Sequence, residues 1–154
     1  MTISLHWEWK SWSDLDTKDL YTIIQLRQAV FIVEQNCPYI DADGLDQSAY
    51  HLLGWSENRT LAVYTRVFLP DKVDDEGVIG RVIVHKNFRR KGLGLVVMEK
   101  SEEYAISQSQ IPLLAFHLSA QAHLRSFYEQ LGYRVVGDPY DEDGIPHLPM
   151  RKGL

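Results

Sequence analysis

The pattern of apolar and polar positions predicts one strand, one helix and a polar loop in the first third of the chain. Segment 4–9 (Ser-Leu-His-Trp-Glu-Trp) alternates apolar with polar residues, as a strand with one buried face does. Over 18–31 the apolar residues recur every three or four positions, which predicts a helix with Thr17 as its N-cap. Segment 34–47 is polar and contains three aspartates, which predicts a loop of the kind that often contacts substrates.

Three strands are predicted for the middle of the chain. The apolar segments 50–55 and 61–69 flank a polar, turn-like stretch at 56–59, which predicts an antiparallel hairpin. A polar loop follows, and segment 78–84 (Val-Ile-Gly-Arg-Val-Ile-Val) is then rich in β-branched residues. This composition predicts a central strand that is largely buried.

Two helices and three strands are predicted for the rest of the chain. The first helix is expected over 93–107. The second is indicated by an apolar stripe at helical spacing, formed by Leu124, Phe127, Tyr128 and Leu131. Gly132 is predicted to end this helix as a left-handed cap. Strands are expected at 112–118, 133–136 and 147–151, and the order of elements predicts a mixed α/β (α+β) layer architecture.

Length and composition limit the class of protein. A chain of 154 residues with 45% hydrophobic and 24% charged residues fits one globular domain, predicted over 1–154. The single cysteine, Cys37, excludes an internal disulfide and a zinc site built from several thiolates. Neither a signal peptide nor an apolar run long enough to span a bilayer is visible, so we expect a cytoplasmic protein without a membrane partner.

The charge distribution favours a small anionic ligand over nucleic acid. The net charge is -5, and basic residues are scattered except in the triplet Arg89-Arg90-Lys91. An acidic protein repels a nucleic-acid backbone, and three residues are too few to follow one. We therefore expect no nucleic-acid partner.

The basic triplet belongs to the segment with the clearest chemical signal. A strand leads into a loop with Gly92 and Gly94, and a helix begins at once. Free N–H groups at a helix N-terminus form an anion site, and glycine lets phosphate approach the backbone. A dinucleotide fingerprint would need a third glycine at Val97, and a P-loop would need Lys-Ser/Thr after Gly92, where Leu93 stands. The alternative that stays open is a surface turn with solvated basic residues.

Two motifs in this chain resemble those of the GNAT superfamily of N-acetyltransferases. The pattern Arg89-x-x-Gly92-x-Gly94 after a β-branched strand is similar to the acyl-CoA-binding motif of the family. Segment 121–133 (Gln-Ala-His-Leu-Arg-Ser-Phe-Tyr-Glu-Gln-Leu-Gly-Tyr) resembles the second cofactor motif, with glutamine where many members have asparagine. Segments 31–39 and 143–147 resemble the ElaA-like branch more narrowly. The resemblance implies the GNAT fold, a central mixed, mostly antiparallel sheet flanked by helices.

The activity implied by this resemblance is transfer of an acetyl group from acetyl-CoA to a primary amine, by direct attack with both substrates bound. Tyr128 occupies the position that the family uses to donate a proton to the departing thiolate. The alternative is a core tyrosine, and the two roles are compatible because the ring can pack while the hydroxyl faces the sulfur. The implied acetyl-CoA contacts are Val82, Ile83, Val84, Arg89, Arg90, Lys91, Gly92, Leu93, Gly94, Gln121 and Tyr128.

The base that deprotonates the amine is less evident from the sequence. Many relatives place a glutamate on the central strand, where this chain has Arg81. Glu34 is the candidate for the base, and the candidates for acceptor contacts are Glu34, Gln35, His51, Arg81 and His147. The alternatives are a solvated Glu34, structural histidines and a salt-bridged Arg81.

Three further predictions concern metals, oligomeric state and loss of activity. The three aspartates of 41–46 lack the glycine and glutamate positions of an EF-hand, so no metal site is predicted. The resemblance is compatible with a homodimer. A different class of function stays open, a catalytically silent GNAT-fold module that binds CoA as a sensor or regulator, and a scaffold without a cofactor is a third.

Overall fold

The computed structural model describes residues 3–154, and within them eight strands and three α-helices follow in the predicted order with one strand added. The strands are β1 (His6–Ser11), β2 (Tyr50–Trp55), β3 (Leu61–Phe68), β4 (Glu76–Val84), β5 (Ala115–Gln121), β6 (Arg134–Val135), β7 (Tyr140–Glu142) and β8 (Ile145–Gly153). The helices are α1 (Thr17–Arg27), α2 (Leu93–Gln108) and α3 (Arg125–Gln130). The added strand is β7, which the sequence predicted to be a polar connection.

The strands form one mixed sheet in the order β1-β2-β3-β4-β5-β8-β6, with β7 paired to β8 outside this path. Every neighbouring pair is antiparallel except β4 and β5, which are parallel. A parallel pair needs a long crossover connection, and α2 provides it. The predicted fold class, a mostly antiparallel sheet with flanking helices, is confirmed.

Helices cover both faces of the sheet. Residues Leu52 and Leu53 of β2 are both fully buried, but they belong to different apolar clusters. Because successive side chains of a strand point to opposite faces, the two clusters lie on opposite sides of the sheet. Leu53 packs with α1, and Leu52 packs with α2. We call these the α1 face and the α2 face.

The first helix differs from the prediction at both ends. Its N-cap is Asp16, whose side chain accepts a hydrogen bond from the N–H of Asp19 at 2.7 Å, so the assignment of Thr17 as cap is wrong by one residue. Beyond Arg27 the chain continues as a π-helical segment, Gln28–Glu34. This segment takes the helical backbone three residues past the predicted end and brings the side chain of Glu34 to the rim of the site.

The boundaries of two strands differ from the predicted ones by two or three residues. Strand β1 is shifted toward the C-terminus relative to the predicted 4–9, and β5 lies three residues beyond the predicted 112–118. The predicted left-handed cap at Gly132 is confirmed, with φ 96°. The stripe before it is shorter than predicted, because α3 begins only at Arg125 and Leu124 is 38% exposed.

The strands β7 and β8 form a tight hairpin. Glu142 pairs with Ile145, and the two residues between them, Asp143 and Gly144, have φ angles of 53° and 82°. An Asp-Gly pair with positive φ at both positions is the preferred two-residue hairpin turn. The turn of this hairpin contacts Cys37, which is distant in the sequence.

Candidate active site

A cavity of about 930 Å³ opens where β4 and β5 separate. The two strands pair only over their first residues, Glu76 to Val78 with Ala115 to His117. Beyond Val78 the polar backbone groups on this side of β4 have no strand partner within residues 3–154. Backbone groups that are not paired need other partners, so the edges of the gap can bind an extended chain with amide groups. Val82, Ile83 and Val84, predicted to contact the donor, line this gap.

A β-bulge in β4 directs the side chains around the gap. Tyr64 of β3 pairs with Ile83 and Arg66 pairs with Gly80, so Thr65 faces two residues of β4. One of these, Arg81, has a φ of 50°. A bulge bends a strand and changes where its side chains point. No local pattern predicts this bulge, because arginine has no preference for left-handed backbone.

The loop between β4 and α2 has the geometry of an anion site. Arg90 and Gly92 have φ angles of 63° and 75°, and no side chain caps the helix that follows. The first N–H groups of α2 are therefore without acceptors in the helix, and its positive dipole end faces the same space. Alternating backbone conformations of this kind form concave anion sites from successive N–H groups.

The two glycines of this loop serve different purposes. A Cβ on Gly92 would meet nothing within 4 Å, so its positive φ is the feature that favours glycine there. A Cβ on Gly94 would lie 3.2 Å from the ring of Phe127, so a side chain there would press against α3. Lys91 is exposed and does not line the cavity, whereas Arg90 does.

Arg89 bridges the loop to the end of the first helical region. Its Nε donates to the carbonyl oxygen of Val84 at 3.0 Å, and its guanidinium lies 2.9 Å from a carboxylate oxygen of Glu34. The sequence predicted that Arg89 adds charge beside a pyrophosphate. In the structure Arg89 connects the loop between β4 and α2, which we call the donor loop, to Glu34. Glu34, the predicted base, thus has a guanidinium partner.

Tyr128 of α3 is the tyrosine of the second motif, and it lines the cavity. The residue is 6% exposed, and its ring packs edge-on against Phe127 and Tyr133. Burial raises the pKa of Tyr128 to about 12, so the hydroxyl keeps its proton at neutral pH.

The opposite end of the cavity is closed by contacts between distant segments. Gln121 donates to Gln35 at 3.1 Å, so these two predicted site residues meet. The thiol of Cys37 donates to the carbonyl oxygen of Asp143 at 3.1 Å, which fixes the tip of the β7–β8 hairpin. His147 of β8 lines the same end, which we call the acceptor end.

The loop after the π-helical segment is held to the sheet by a buried charge network. Arg27 is completely buried and contacts carboxylate oxygens of Asp41 and Asp46, each at 2.7 Å. Two more arginines and one more aspartate join these three residues. The network thus has three positive and three negative charges: Arg27, Arg66, Arg81, Asp41, Asp43 and Asp46. Arg81 is therefore a salt-bridged residue, which was the open alternative to its predicted contact with the acceptor. Sequence reasoning missed Arg27 and Arg66, which no local pattern pairs with the loop.

His51 belongs to this network and not to the cavity. It is fully buried, with Nδ1 2.7 Å from the hydroxyl of Tyr64 and Nε2 3.0 Å from the carbonyl oxygen of Asp46. It does not line the cavity, so the structure gives no support to its predicted contact with the acceptor. Burial lowers the pKa of His51, which keeps the ring neutral at neutral pH.

We expect this network to make the protein sensitive to acid. Burial alone raises the pKa of Asp43, but hydrogen bonds from Arg66 and the N–H of Leu45 outweigh it and lower the pKa to about 2. A lowered carboxyl pKa stabilises the fold above the unfolded value, and the contribution is lost as pH falls toward the folded value. His51, also lowered, adds a loss that begins below its ordinary 6.5. Unfolding free energy in urea should therefore fall as the pH is lowered from ~6.5 to ~2.

Asp43→Asn is the variant that isolates the carboxyl contribution. At neutral pH it should lose about 1 kcal/mol, because solvent screening at this exposed carboxylate reduces its contribution below what the pKa shift alone implies. Its unfolding free energy should also fall less than that of the wild type below pH ~4. Parallel pH curves for the two proteins would contradict the assignment.

Two kinds of feature are absent from the described residues. No group of three or more His, Cys, Asp or Glu side chains is placed to hold a metal ion in the part of the chain that the structure describes. Among those same residues, no helix combines the length and apolar character needed to cross a membrane.

The chain belongs to the GNAT acetyltransferase family. The family model described as an acetyltransferase (GNAT) domain matches residues 29–154. Within the family the chain is similar to protein ElaA of Escherichia coli (strain K12), with 41% identity over 150 residues that cover 96% of each chain. It belongs to the ElaA-like branch that segments 31–39 and 143–147 indicated.

Solved structures agree with this assignment. The crystal structure of an acyl-CoA N-acyltransferase from Pseudomonas aeruginosa matches with a TM-score of 0.87 and 40% identity, over 97% of this chain and all of that one. The crystal structure of E. coli ElaA gives a TM-score of 0.86 over 97% of this chain and 99% of its own. A more distant aminoglycoside 6'-N-acetyltransferase, complexed with coenzyme A, shares the fold at 13% identity, with a TM-score of 0.71 over 95% of this chain and 96% of its own.

Proposed function

We propose that this protein transfers an acetyl group from acetyl-CoA to a primary amine while both substrates are bound. The observation that supports this most directly is the gap between β4 and β5, which joins the anion site of the α2 N-terminus to the hydroxyl of Tyr128. A CoA molecule has a pyrophosphate, an extended arm with amide groups and a terminal sulfur. The loop, the free edge of β4 and Tyr128 offer a partner for each of these parts in that order.

The donor end would bind charge mainly through backbone groups. The N–H groups at the start of α2 and the side chain of Arg90 face the space where the pyrophosphate would lie. Arg89 would hold the loop in place through Val84 and Glu34. The aminoglycoside acetyltransferase that shares this fold was solved with coenzyme A, which supports a CoA-linked donor.

The chemical step requires proton transfers that the cavity can provide. The nitrogen of the acceptor must lose a proton before it attacks the thioester carbon, because a protonated alkylamine has no free electron pair. As the carbon–sulfur bond breaks, the hydroxyl of Tyr128 donates to the sulfur. Its raised pKa keeps the proton available for this donation at neutral pH.

The direct test is an assay for free CoA thiol with acetyl-CoA and a panel of primary amines. The panel would contain a peptide with a free N-terminus, L-lysine, spermidine, glycine and an aminoglycoside. Amine-dependent thiol release with a matching acetylated product is the expected result. Binding of acetyl-CoA without turnover for any amine would favour the silent, CoA-sensing module instead. No binding at all would overturn the proposal.

Tyr128→Phe should reduce kcat about 10- to 100-fold. A hydrogen bond to a charged group contributes roughly 1.5–3 kcal/mol, and the variant loses it only as the thiolate forms. The ring packing is retained, so unfolding free energy and the Kd of CoA should change little. The measurement is kcat and its pH profile with the fastest amine of the panel.

Tyr133→Phe is the matched control for this variant. Tyr133 lies beside Tyr128, but its hydroxyl donates to Glu102 at 3.0 Å and is fully buried away from the cavity. We expect this change to lower stability and leave kcat within a factor of about two, since no transition-state contact is removed. An unchanged kcat and pH profile in Tyr128→Phe would show that the hydroxyl does not act on the sulfur.

A further inference from the structure

His147 lies in the wall of the acceptor end with an unusual pair of neighbours. The residue is 7% exposed and lines the cavity. Its Nδ1 is 2.7 Å from the carbonyl oxygen of Ile145, and its Nε2 is 3.1 Å from a carboxylate oxygen of Glu142. Both ring nitrogens therefore face oxygen atoms that can only accept hydrogen bonds while Glu142 is ionised.

The contact with Ile145 selects the tautomer of the ring. A carbonyl oxygen has no hydrogen, so Nδ1 must carry the proton of this hydrogen bond. In the neutral ring Nε2 then has the free electron pair. That electron pair faces the carboxylate of Glu142, and the 3.1 Å between the two atoms is the length of a hydrogen bond. The pair is thus arranged so that a proton taken up on Nε2 is stabilised by the carboxylate of Glu142.

We propose that Nε2 of His147 is the base that accepts a proton from the acceptor ammonium, and that Glu142 binds this ammonium before the transfer. The proposal rests on the proposed acetyl transfer and adds the residue that starts it. Glu142 is half exposed, with 51% of its side chain accessible, so it can contact a ligand that enters from solvent. The backbone contact at Nδ1 fixes the ring for this task, as second partners of functional histidines often do.

The other candidates in the sequence are less suited to this role. Glu34 is engaged with the guanidinium of Arg89, and both nitrogens of His51 are engaged in the core outside the cavity. Of the two histidines, His147 lines the cavity, and its Nε2 contacts a carboxylate that is half exposed to solvent. Its position on the α1 face follows from its pairing with Gln121, which contacts Gln35 of the segment after α1.

The protons balance over the whole reaction. The acceptor enters as an ammonium with three N–H bonds and leaves as an amide with one. His147 accepts the first proton and later releases it to solvent. The sulfur gains the proton of Tyr128 as the carbon–sulfur bond breaks, and the oxygen of Tyr128 recovers the second proton from the nitrogen. The products are the amide, neutral CoA thiol and one proton in solution.

The first test is the tautomer of His147 in the wild-type protein, which needs no acceptor. A long-range proton–nitrogen NMR spectrum distinguishes the two ring nitrogens, and comparison with His147→Gln assigns the signals. We expect a protonated Nδ1 and an unprotonated Nε2 at high pH. The tautomer with the proton on Nε2 would overturn the proposal.

The second test is kinetic and uses the fastest amine of the panel. His147→Gln should lower kcat/KM about 100-fold near neutral pH, a typical contribution of a positioned base, and remove the acidic limb of the profile. The charged or titratable groups that face His147 are Glu142 and Tyr140 of β7, so Glu142→Gln is measured in parallel. That variant should raise KM for the amine about 10-fold with a smaller change in kcat. His147→Asn, which keeps an N–H donor near Ile145, replaces His147→Gln if the latter does not fold.

His117→Gln is the matched control. This histidine also contacts a glutamate, Glu76, with Nδ1 2.9 Å from the carboxylate, but it does not line the cavity. Its substitution should leave kcat/KM and the pH profile unchanged. Wild-type activity with an unchanged His147→Gln profile would overturn this inference and leave the proposed function intact. Wild-type protein without activity for any amine would count against the proposed function itself.

Discussion

Replacing Gly92 by glutamate should raise the Kd of CoA at least about 1000-fold in a protein that still folds. A Cβ at this position meets no atom within 4 Å, so the cost to the fold is the strain of a positive φ and not a clash. Its carboxylate would extend into the space in front of the α2 N-terminus. A like charge at about 4 Å costs about 4 kcal/mol at an effective dielectric constant near 20, which corresponds to about three orders of magnitude in Kd.

A glutamate at a second glycine, Gly44, separates the effect of strain at a positive φ from the effect of the new charge on CoA binding. Gly44 has a φ of 81° and also no atom within 4 Å of a Cβ, but it lies in the loop after α1. Gly44→Glu should therefore lose a comparable 1–2 kcal/mol or so of stability and bind CoA as the wild type does. Calorimetric titration of CoA at fixed salt measures both variants. Tight binding by Gly92→Glu would place the cofactor away from this loop.

Arg27→Met should lower the free energy of unfolding by about 3–5 kcal/mol. Methionine keeps an unbranched apolar side chain but leaves two carboxylates of the buried network, Asp41 and Asp46, without one of their cations. Removing one partner of a buried ion pair is costly because the remaining charge stays buried, whatever the net value of the pair. For a chain of this size the melting temperature should fall by about 6–20 °C.

An exposed ion pair is the control for this result. Arg125 contacts Glu129 on the surface of α3, and its side chain is 57% exposed. Arg125→Met should change stability by no more than about 0.5 kcal/mol, as exposed pairs do. Urea denaturation at pH ~7 gives both values. A loss below about 1 kcal/mol in Arg27→Met would mean that the other arginines compensate for it or that the loop moves away.

These two experiments address the two walls of one cavity. The donor loop is shaped by the backbone conformation at Gly92. The loop that contains Asp41 and Asp46 is held in place by the charge of Arg27. The ion pair between Arg89 and Glu34 connects the two. The homodimer and the single-domain boundaries stay predictions, and the size of the protein in solution would test the former.

The sequence was sufficient for the features that local patterns encode. Period-two and helical spacing predicted the order of the elements, and the Arg89-x-x-Gly92-x-Gly94 pattern predicted the donor loop. The helical position of Tyr128 and the left-handed cap at Gly132 were predicted correctly because both belong to one short helix and its end. Such signals depend on neighbours within a few positions, which is why the chain alone reveals them.

Only the tertiary structure decided which distant residues meet. Arg27 contacts Asp41 and Asp46, and Cys37 contacts Asp143, more than one hundred positions away. The bulge at Arg81 depends on the register between β3 and β4. The spacing of hydrophobic residues does not determine that register to within one residue. The same holds for His147, which was predicted from the sequence as a candidate for the acceptor site together with Glu34 and His51. The role proposed for it rests on its burial, its place in the cavity wall and the atoms that its ring nitrogens contact, and these depend on how the sheet and its loops pack.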